Sequence, residues 1–188
     1  MRNFSNIKFI NNNKEMIMQL AKEINSCSKL TGDFLLRSGV KSDTYFDKYK
    51  FESYPNLLKK IAQKITELVP KDTEIIAGLE MGGIPLATMV SQILCIPTAF
   101  IRKDAKKYGT CKYAEGAELI DRKVIIIEDV VSSGGAIINA VTKMRKDGIE
   151  VDKAICVIDR ETGGKEKLKD IDIELLSVLT RTDLNNNQ

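Results

Sequence analysis

Val124-Ile125-Ile126-Ile127-Glu128-Asp129-Val130-Val131-Ser132-Ser133-Gly134-Gly135-Ala136 is the stretch whose reading decides the fold. Its first four residues are all β-branched, which predicts a strand buried on both faces. Two adjacent carboxylates are expected at the C-terminal end of that strand. Two hydroxyls, two glycines and a run from Ala136 to Met144 with helical patterning follow. Strand, small-residue turn and helix N-terminus together make an anion cradle. Glycine lets the backbone approach a phosphate, the hydroxyls donate to it, and the free N–H groups and helix dipole favour its charge. The pair Glu128 and Asp129 goes beyond what a phosphate cradle needs. It suits ribose hydroxyls, a Mg²⁺ ion, or a sugar carbon that becomes positive during reaction. Phosphate, ribose and developing positive charge in one site point to an activated sugar phosphate.

Outward from this segment the chain alternates helices and strands. A first amphipathic helix is expected from Lys14 to Asn25, with Met16, Ile17, Leu20, Ala21 and Ile24 on one side. The polar, aromatic stretch from Thr31 to Phe51 reads as short strands or a hairpin. Pro55 opens a helix whose apolar positions Leu58, Ile61, Ile65 and Leu68 keep the helical period, and Pro70 ends it. Strands follow at Glu74–Gly78 and Ile96–Ile101, with a helix from Pro85 to Leu94 between them. Gly148 suits the C-terminal cap of the helix after the cradle. Further strands are expected at Ala154–Ile158 and Leu175–Leu179, and Asn185–Gln188 reads as a loose tail. The fold class is therefore α/β: an open, mostly parallel sheet flanked by helices, with ligands at the C-terminal ends of its strands.

Composition narrows the chemistry. At 188 residues, 43% hydrophobic and 29% charged, the chain is expected to form one soluble globular domain. A net charge of +3 is too small to imply nucleic acid, and no apolar run reaches membrane-spanning length. The N-terminal Met1–Asn6 lacks a signal-peptide pattern. Four cysteines (Cys27, Cys95, Cys111, Cys156) show no CxxC pairing, and Cys95 and Cys156 are expected to be small core residues. A reducing, cytoplasmic setting fits. There is no histidine, which excludes Ser-His-Asp and Cys-His catalysis and any His-based zinc site.

Three further segments sit at expected strand ends. In Gly78-Leu79-Glu80-Met81-Gly82-Gly83-Ile84-Pro85 the paired glycines and the following helix form a second possible anion nest. Neither a P-loop nor a Gly-x-Gly-x-x-Gly motif is present. Between Arg102 and Lys112 five cations fall within eleven residues. Such a run is ordinarily a solvated loop. Here it follows a buried strand in a chain that already has phosphate cradles, so it reads as a cationic flap. Asp159-Arg160-Glu161-Thr162-Gly163-Gly164 follows another buried strand. Earlier in the chain, Phe34 to Asp47 contains Arg37-Ser38-Gly39 and the aromatic pair Tyr45-Phe46.

The stretch quoted first resembles the phosphoribosyl pyrophosphate (PRPP) binding motif of the type I phosphoribosyltransferases. The pattern Arg-Lys-x-x-Lys-x-x-Gly from Arg102, followed by Glu115-Gly116, resembles the catalytic loop of the orotate phosphoribosyltransferases. Arg102, Lys103 and Lys106 match its PRPP-contacting cations, and Tyr108 stands where many members carry His. The segment with Arg37 is similar to the family's N-terminal substrate segment, where many members have Lys at that position. Arg160 matches the arginine that binds orotate. Four motifs thus occur in the family's order between Thr31 and Gly164.

The resemblance implies a single domain over 1–188, with a small N-terminal hood over about 1–53 and a PRPP-binding core over about 54–180. It implies transfer of ribose 5-phosphate from PRPP to orotate in pyrimidine synthesis, with Lys103, Lys106, Glu128 and Asp129 as catalytic residues. PRPP would be bound by Arg102, Lys103, Lys106, Tyr108, Glu128, Asp129 and the loop Val130, Val131, Ser132, Ser133, Gly134, Gly135 and Ala136. Pyrophosphate would lie on Glu80, Met81, Gly82 and Gly83, and orotate on Arg37, Ser132 and Arg160. Mg²⁺ would be held mainly by PRPP, with no direct protein ligand. A homodimer sharing the flexible loop is implied, with no nucleic acid or membrane partner. Two other readings use the same PRPP loop. One is transfer to another nucleobase, which Arg37 and Arg160 argue against. The other is a PRPP-binding regulator, which the intact flap cations and the lack of a DNA-binding domain argue against.

Overall fold

The N-terminal helix α1 (Asn3–Ser28) leads into an antiparallel hairpin, β1 (Lys29–Leu35) with β2 (Lys41–Phe46). The short helix α2 (Lys48–Ser53) and then α3 (Pro55–Thr66) carry the chain to β3 (Ile75–Leu79). After it come α4 (Gly83–Leu94), β4 (Thr98–Ile101), β5 (Ala114–Gly116), β6 (Val124–Val131) and α5 (Gly135–Lys146). The chain ends through β7 (Lys153–Asp159), α6 (Gly164–Lys169), β8 (Glu174–Thr180) and α7 (Arg181–Asn185). The computed structural model describes residues 3–35, 39, 41–106 and 112–186, with side chains from 14 onward. Arg37 and Tyr108 lie outside the described residues.

The main sheet has six strands in the order β5-β4-β3-β6-β7-β8, all parallel except β5. Strand β6 is central because its residues are apolar on both faces. Ile125 and Ile127 enter one core with α1, α3 and α4, while Val124 and Ile126 enter a second core with α5 and α6. Each such isoleucine stabilises the fold by about 1.5–3 kcal/mol when fully buried. The connection order reverses between β3 and β6: from β3 the chain runs outward to β4, then returns to the other side of β3. Parallel sheets open a crevice at such a reversal, beyond the strands' C-terminal ends.

The structure departs from the expected elements in several places. Strand β6 runs on through Val130 and Val131, so Glu128 and Asp129 lie within it and not after it. Helix α1 starts well before Lys14, and α3 stops at Thr66, short of Pro70. Strand β4 starts at Thr98, not Ile96. Helices α2, α6 and α7 and strand β5 span only three to six residues each, too few for a period to register. Asn185 is the last residue of α7, which Thr180 and Asp183 start with reciprocal capping bonds, and is not part of a tail. Cys156 is fully buried, as expected, but Cys95 is exposed. It ends α4 in the left-handed region at φ 55°, where the chain turns out of the helix.

Candidate active site

At the reversal point the loop after β3 lies against the end of β6. A Cβ on Gly82 would fall 1.7 Å from Asp129 Oδ2, and one on Gly83 would fall 2.2 Å from the Ile127 carbonyl oxygen. The close approach of this loop to β6 therefore requires both glycines. Asp129 is fully buried. Lys48 Nζ lies 2.7 Å from its Oδ2 and 3.0 Å from its Oδ1, and the Val130 N–H donates to Oδ1 at 2.6 Å. Beside it, Glu128 is buried and its Oε2 has no hydrogen-bond partner among the described residues. The pair thus keeps acceptor capacity for a hydroxyl-bearing ligand.

Lys48 and Glu52 were not singled out in the sequence, yet both enter this acidic site from α2. Their four-residue spacing, starting two residues after the aromatic pair, was the available signal, since residues i and i+4 share one helix face. Burial lowers the Lys48 ammonium pKa, but its hydrogen bond to Asp129 and the nearby carboxylates outweigh this and raise it above its usual value. Burial, reinforced by hydrogen bonding and the charge of Asp129, pushes Glu128 well above the carboxylate range. Burial first and the Asp129 charge second push Glu52 up to about 8.

Glu52 makes stability depend on pH. Between its ordinary value of 4.5 and its folded value of about 8, the folded protein keeps a proton that the unfolded chain has released. Its stabilising contribution is therefore complete below 4.5 and is lost as pH rises through about 8. Glu52→Gln, which stays neutral, is expected to flatten the decline of Tm between about pH 5 and 8.5. A decline as steep as the wild type's would remove Glu52 from the titrating cluster.

The small-residue turn expected at Ser132–Ala136 runs into a helix N-terminus, with Gly134 at φ 75° and α5 starting at Gly135. Val131 is 2% exposed and packs into the core, so it offers the site only its backbone. The next loop is tied to the cradle: Arg160 N–H donates to the Val131 carbonyl at 2.8 Å, and Thr162 Oγ1 donates to the Ser132 carbonyl at 3.0 Å. The Arg160 guanidinium lies 5.9 Å from the Phe46 ring centroid, which joins this loop to the hairpin's aromatic pair. Within the hairpin the Phe34 and Tyr45 rings meet in a tilted contact with centroids 5.4 Å apart.

At the flap root, the Lys103 N–H donates to Glu80 Oε2 at 3.0 Å, linking the loop after β3 to the loop after β4. Lys106 is ion-paired with Glu115, whose carboxyl it holds below the usual range, chiefly by their hydrogen bond. Arg102 has its Nε buried without a partner among the described residues. The structure therefore brings Glu80, Gly82, Gly83, Glu128, Asp129 and the cradle together. Lys106 is engaged with Glu115.

The Phosphoribosyl transferase domain model matches residues 50–183. An orotate phosphoribosyltransferase from Nocardioides is 46% identical over 165 residues, covering 88% of this chain and 92% of that protein. The chain belongs to the orotate phosphoribosyltransferase family. A crystal structure of the Mycobacterium tuberculosis orotate phosphoribosyltransferase, in complex with Fe(III) dicitrate, superposes with a TM-score of 0.79 at 28% identity. That match covers 90% of this chain and 98% of the other. The same enzyme in complex with PRPP gives 0.76 at 25% identity, covering 90% and 99% of the two chains. The phosphoribosyltransferase fold thus accounts for the sheet order and for the placement of the loops at one end of it.

Proposed function

We propose that this chain transfers the ribose 5-phosphate of PRPP to orotate, giving orotidine 5′-monophosphate and pyrophosphate in pyrimidine synthesis. The observation that carries the reading is the meeting of three groups at the sheet reversal. These are the small-residue turn at the start of α5, the Glu128–Asp129 pair with Asp129 under Gly82, and Arg160 on Phe46. In the reaction the orotate ring nitrogen, having lost its acidic proton to solvent, bonds to the anomeric carbon as the carbon–oxygen bond to pyrophosphate breaks. Glu128 and Asp129 accept the ribose hydroxyls, and the Asp129 carboxylate favours the positive sugar of the transition state. Ser132, Ser133 and the N–H groups from Gly134 to Ala136 hold the 5-phosphate. The loop Glu80–Gly83 takes the pyrophosphate, and Arg102, Lys103 and Lys106 neutralise its gathering charge. Lys106 exchanges Glu115 for the leaving group.

Arg37 and Arg160 meet the orotate carboxylate, and the hairpin aromatics cover its flat face. Mg²⁺ would offset the diphosphate charge. Among the described residues no three acidic or thiol side chains converge on a cation, and Lys48 engages both Asp129 oxygens. This donor set fits an ion carried in by PRPP itself. The reading includes a cytoplasmic homodimer that shares the flap between subunits, and a hood over 1–53 set against the core over 54–180. Among the described residues no helix is long and apolar enough to cross a membrane.

The test is orotate's ultraviolet absorbance followed with PRPP and Mg²⁺, with adenine, guanine and hypoxanthine in parallel. Orotate loss that needs both PRPP and Mg²⁺ is the expected result. Consumption of a purine alone would reassign the base, and PRPP binding without turnover would favour a regulator. Arg160→Ala is expected to raise the KM for orotate at least about tenfold, with a smaller change for PRPP, because it removes a charged contact to the base. Equal losses for both substrates would move Arg160 out of the base site.

A further inference from the structure

The Lys48 ammonium is the feature that the reaction scheme above leaves unused. Lys48 begins α2 two residues after Phe46, the aromatic residue beneath Arg160. Its backbone path is fixed at both sides. The Asp47 N–H donates to the Ser28 carbonyl at 2.9 Å, and Asp47 Oδ1 accepts the Tyr49 N–H at 3.1 Å. From this anchored turn the side chain reaches 81 residues along the sequence and contacts both oxygens of Asp129. Asp129 has no exposed surface, and a buried carboxylate needs both a balancing charge and a fixed orientation. Lys48 supplies the charge, while the Val130 N–H and the close pack of Gly82 limit rotation.

We propose that Lys48 is a positioning residue for PRPP. It holds the Asp129 carboxylate, charged and aimed, where the ribose hydroxyls arrive, and ties the ribose half of the site to the base-binding hairpin. This rests on the reaction proposed above. A contact that served only to hold α2 in place would weaken both substrates alike and depend little on charge. A positioning contact is specific to PRPP and depends on a cation at this point.

The experiment compares wild type, Lys48→Met and Lys48→Arg in steady-state kinetics and in calorimetric titration with PRPP and Mg²⁺, with far-ultraviolet dichroism as the folding control. Lys48→Met is expected to lower kcat/KM for PRPP at least about tenfold and leave the orotate KM within about threefold. Lys48→Arg is expected to restore most of the loss, since a guanidinium engages both oxygens of a carboxylate. A change below twofold in Lys48→Met, equal losses for PRPP and orotate, or no recovery with arginine would each overturn the proposal. Unfolding of both variants would also overturn it, by making Lys48 a structural residue. If the wild type binds PRPP but leaves orotate untouched, the reaction assignment fails. The calorimetric affinities of the variants then still decide the role of Lys48.

Discussion

Replacing Gly82 with alanine is expected to cut kcat/KM for PRPP at least about a hundredfold, roughly 2.7 kcal/mol of transition-state stabilisation. The backbone at Gly82 has φ −68° and ψ −29°, which alanine adopts without strain, so the effect is purely one of space. The new methyl carbon would lie 1.7 Å from Asp129 Oδ2, 2.4 Å from its Cγ and 3.0 Å from its Cβ. Rotating the carboxylate does not clear the last of these contacts. Either the loop after β3 lifts from the sheet or Asp129 leaves its place against Lys48. Both movements separate the loop proposed to take pyrophosphate from the carboxylates proposed to accept the ribose hydroxyls. Steady-state kinetics with varied PRPP would read the effect, and activity within threefold of wild type would show that the loops need not meet this closely.

Asp129→Asn is expected to be comparably damaging to catalysis and only moderately damaging to stability. The amide has the same shape but lacks the negative charge proposed to favour the developing sugar cation. The expected loss is at least about a hundredfold in kcat/KM for PRPP, with much of it in kcat. Removing one partner of a fully buried ion pair costs about 3–5 kcal/mol. Lys48, however, is 35% exposed and can turn to water, so a smaller loss of about 1–2 kcal/mol is expected. Denaturant unfolding and kinetics on the same preparation separate the two effects. A variant with normal kcat would mean that Asp129 serves the fold and not the reaction.

Much of the fold was legible because its signals are local. Four β-branched residues at 124–127 can be satisfied only by burial on both faces, and β6 is indeed the strand between the two cores. The cradle, the Gly82–Gly83 turn and the Arg160 loop could each be read for the same reason: a strand end, small residues and a helix start lie within a few positions of one another. The short elements carried no such signal. Six residues of α2 make less than two turns, with Phe51 their only buried member.

The sequence by itself therefore determined the longer strands and helices of the sheet and which loops follow its strand ends. The tertiary structure alone decided who partners whom. Hydrophobic periodicity reports which side of an element faces a core, but it is silent on which charge meets which across the crevice. The sheet order set Lys48 on Asp129 and Glu52 beside them, turned Val131 inward and left Cys95 exposed. It also paired Lys106 with Glu115 on the neighbouring strand. Such pairings depend on distances through space between residues far apart in the chain, where a shift of one or two ångströms exchanges one partner for another.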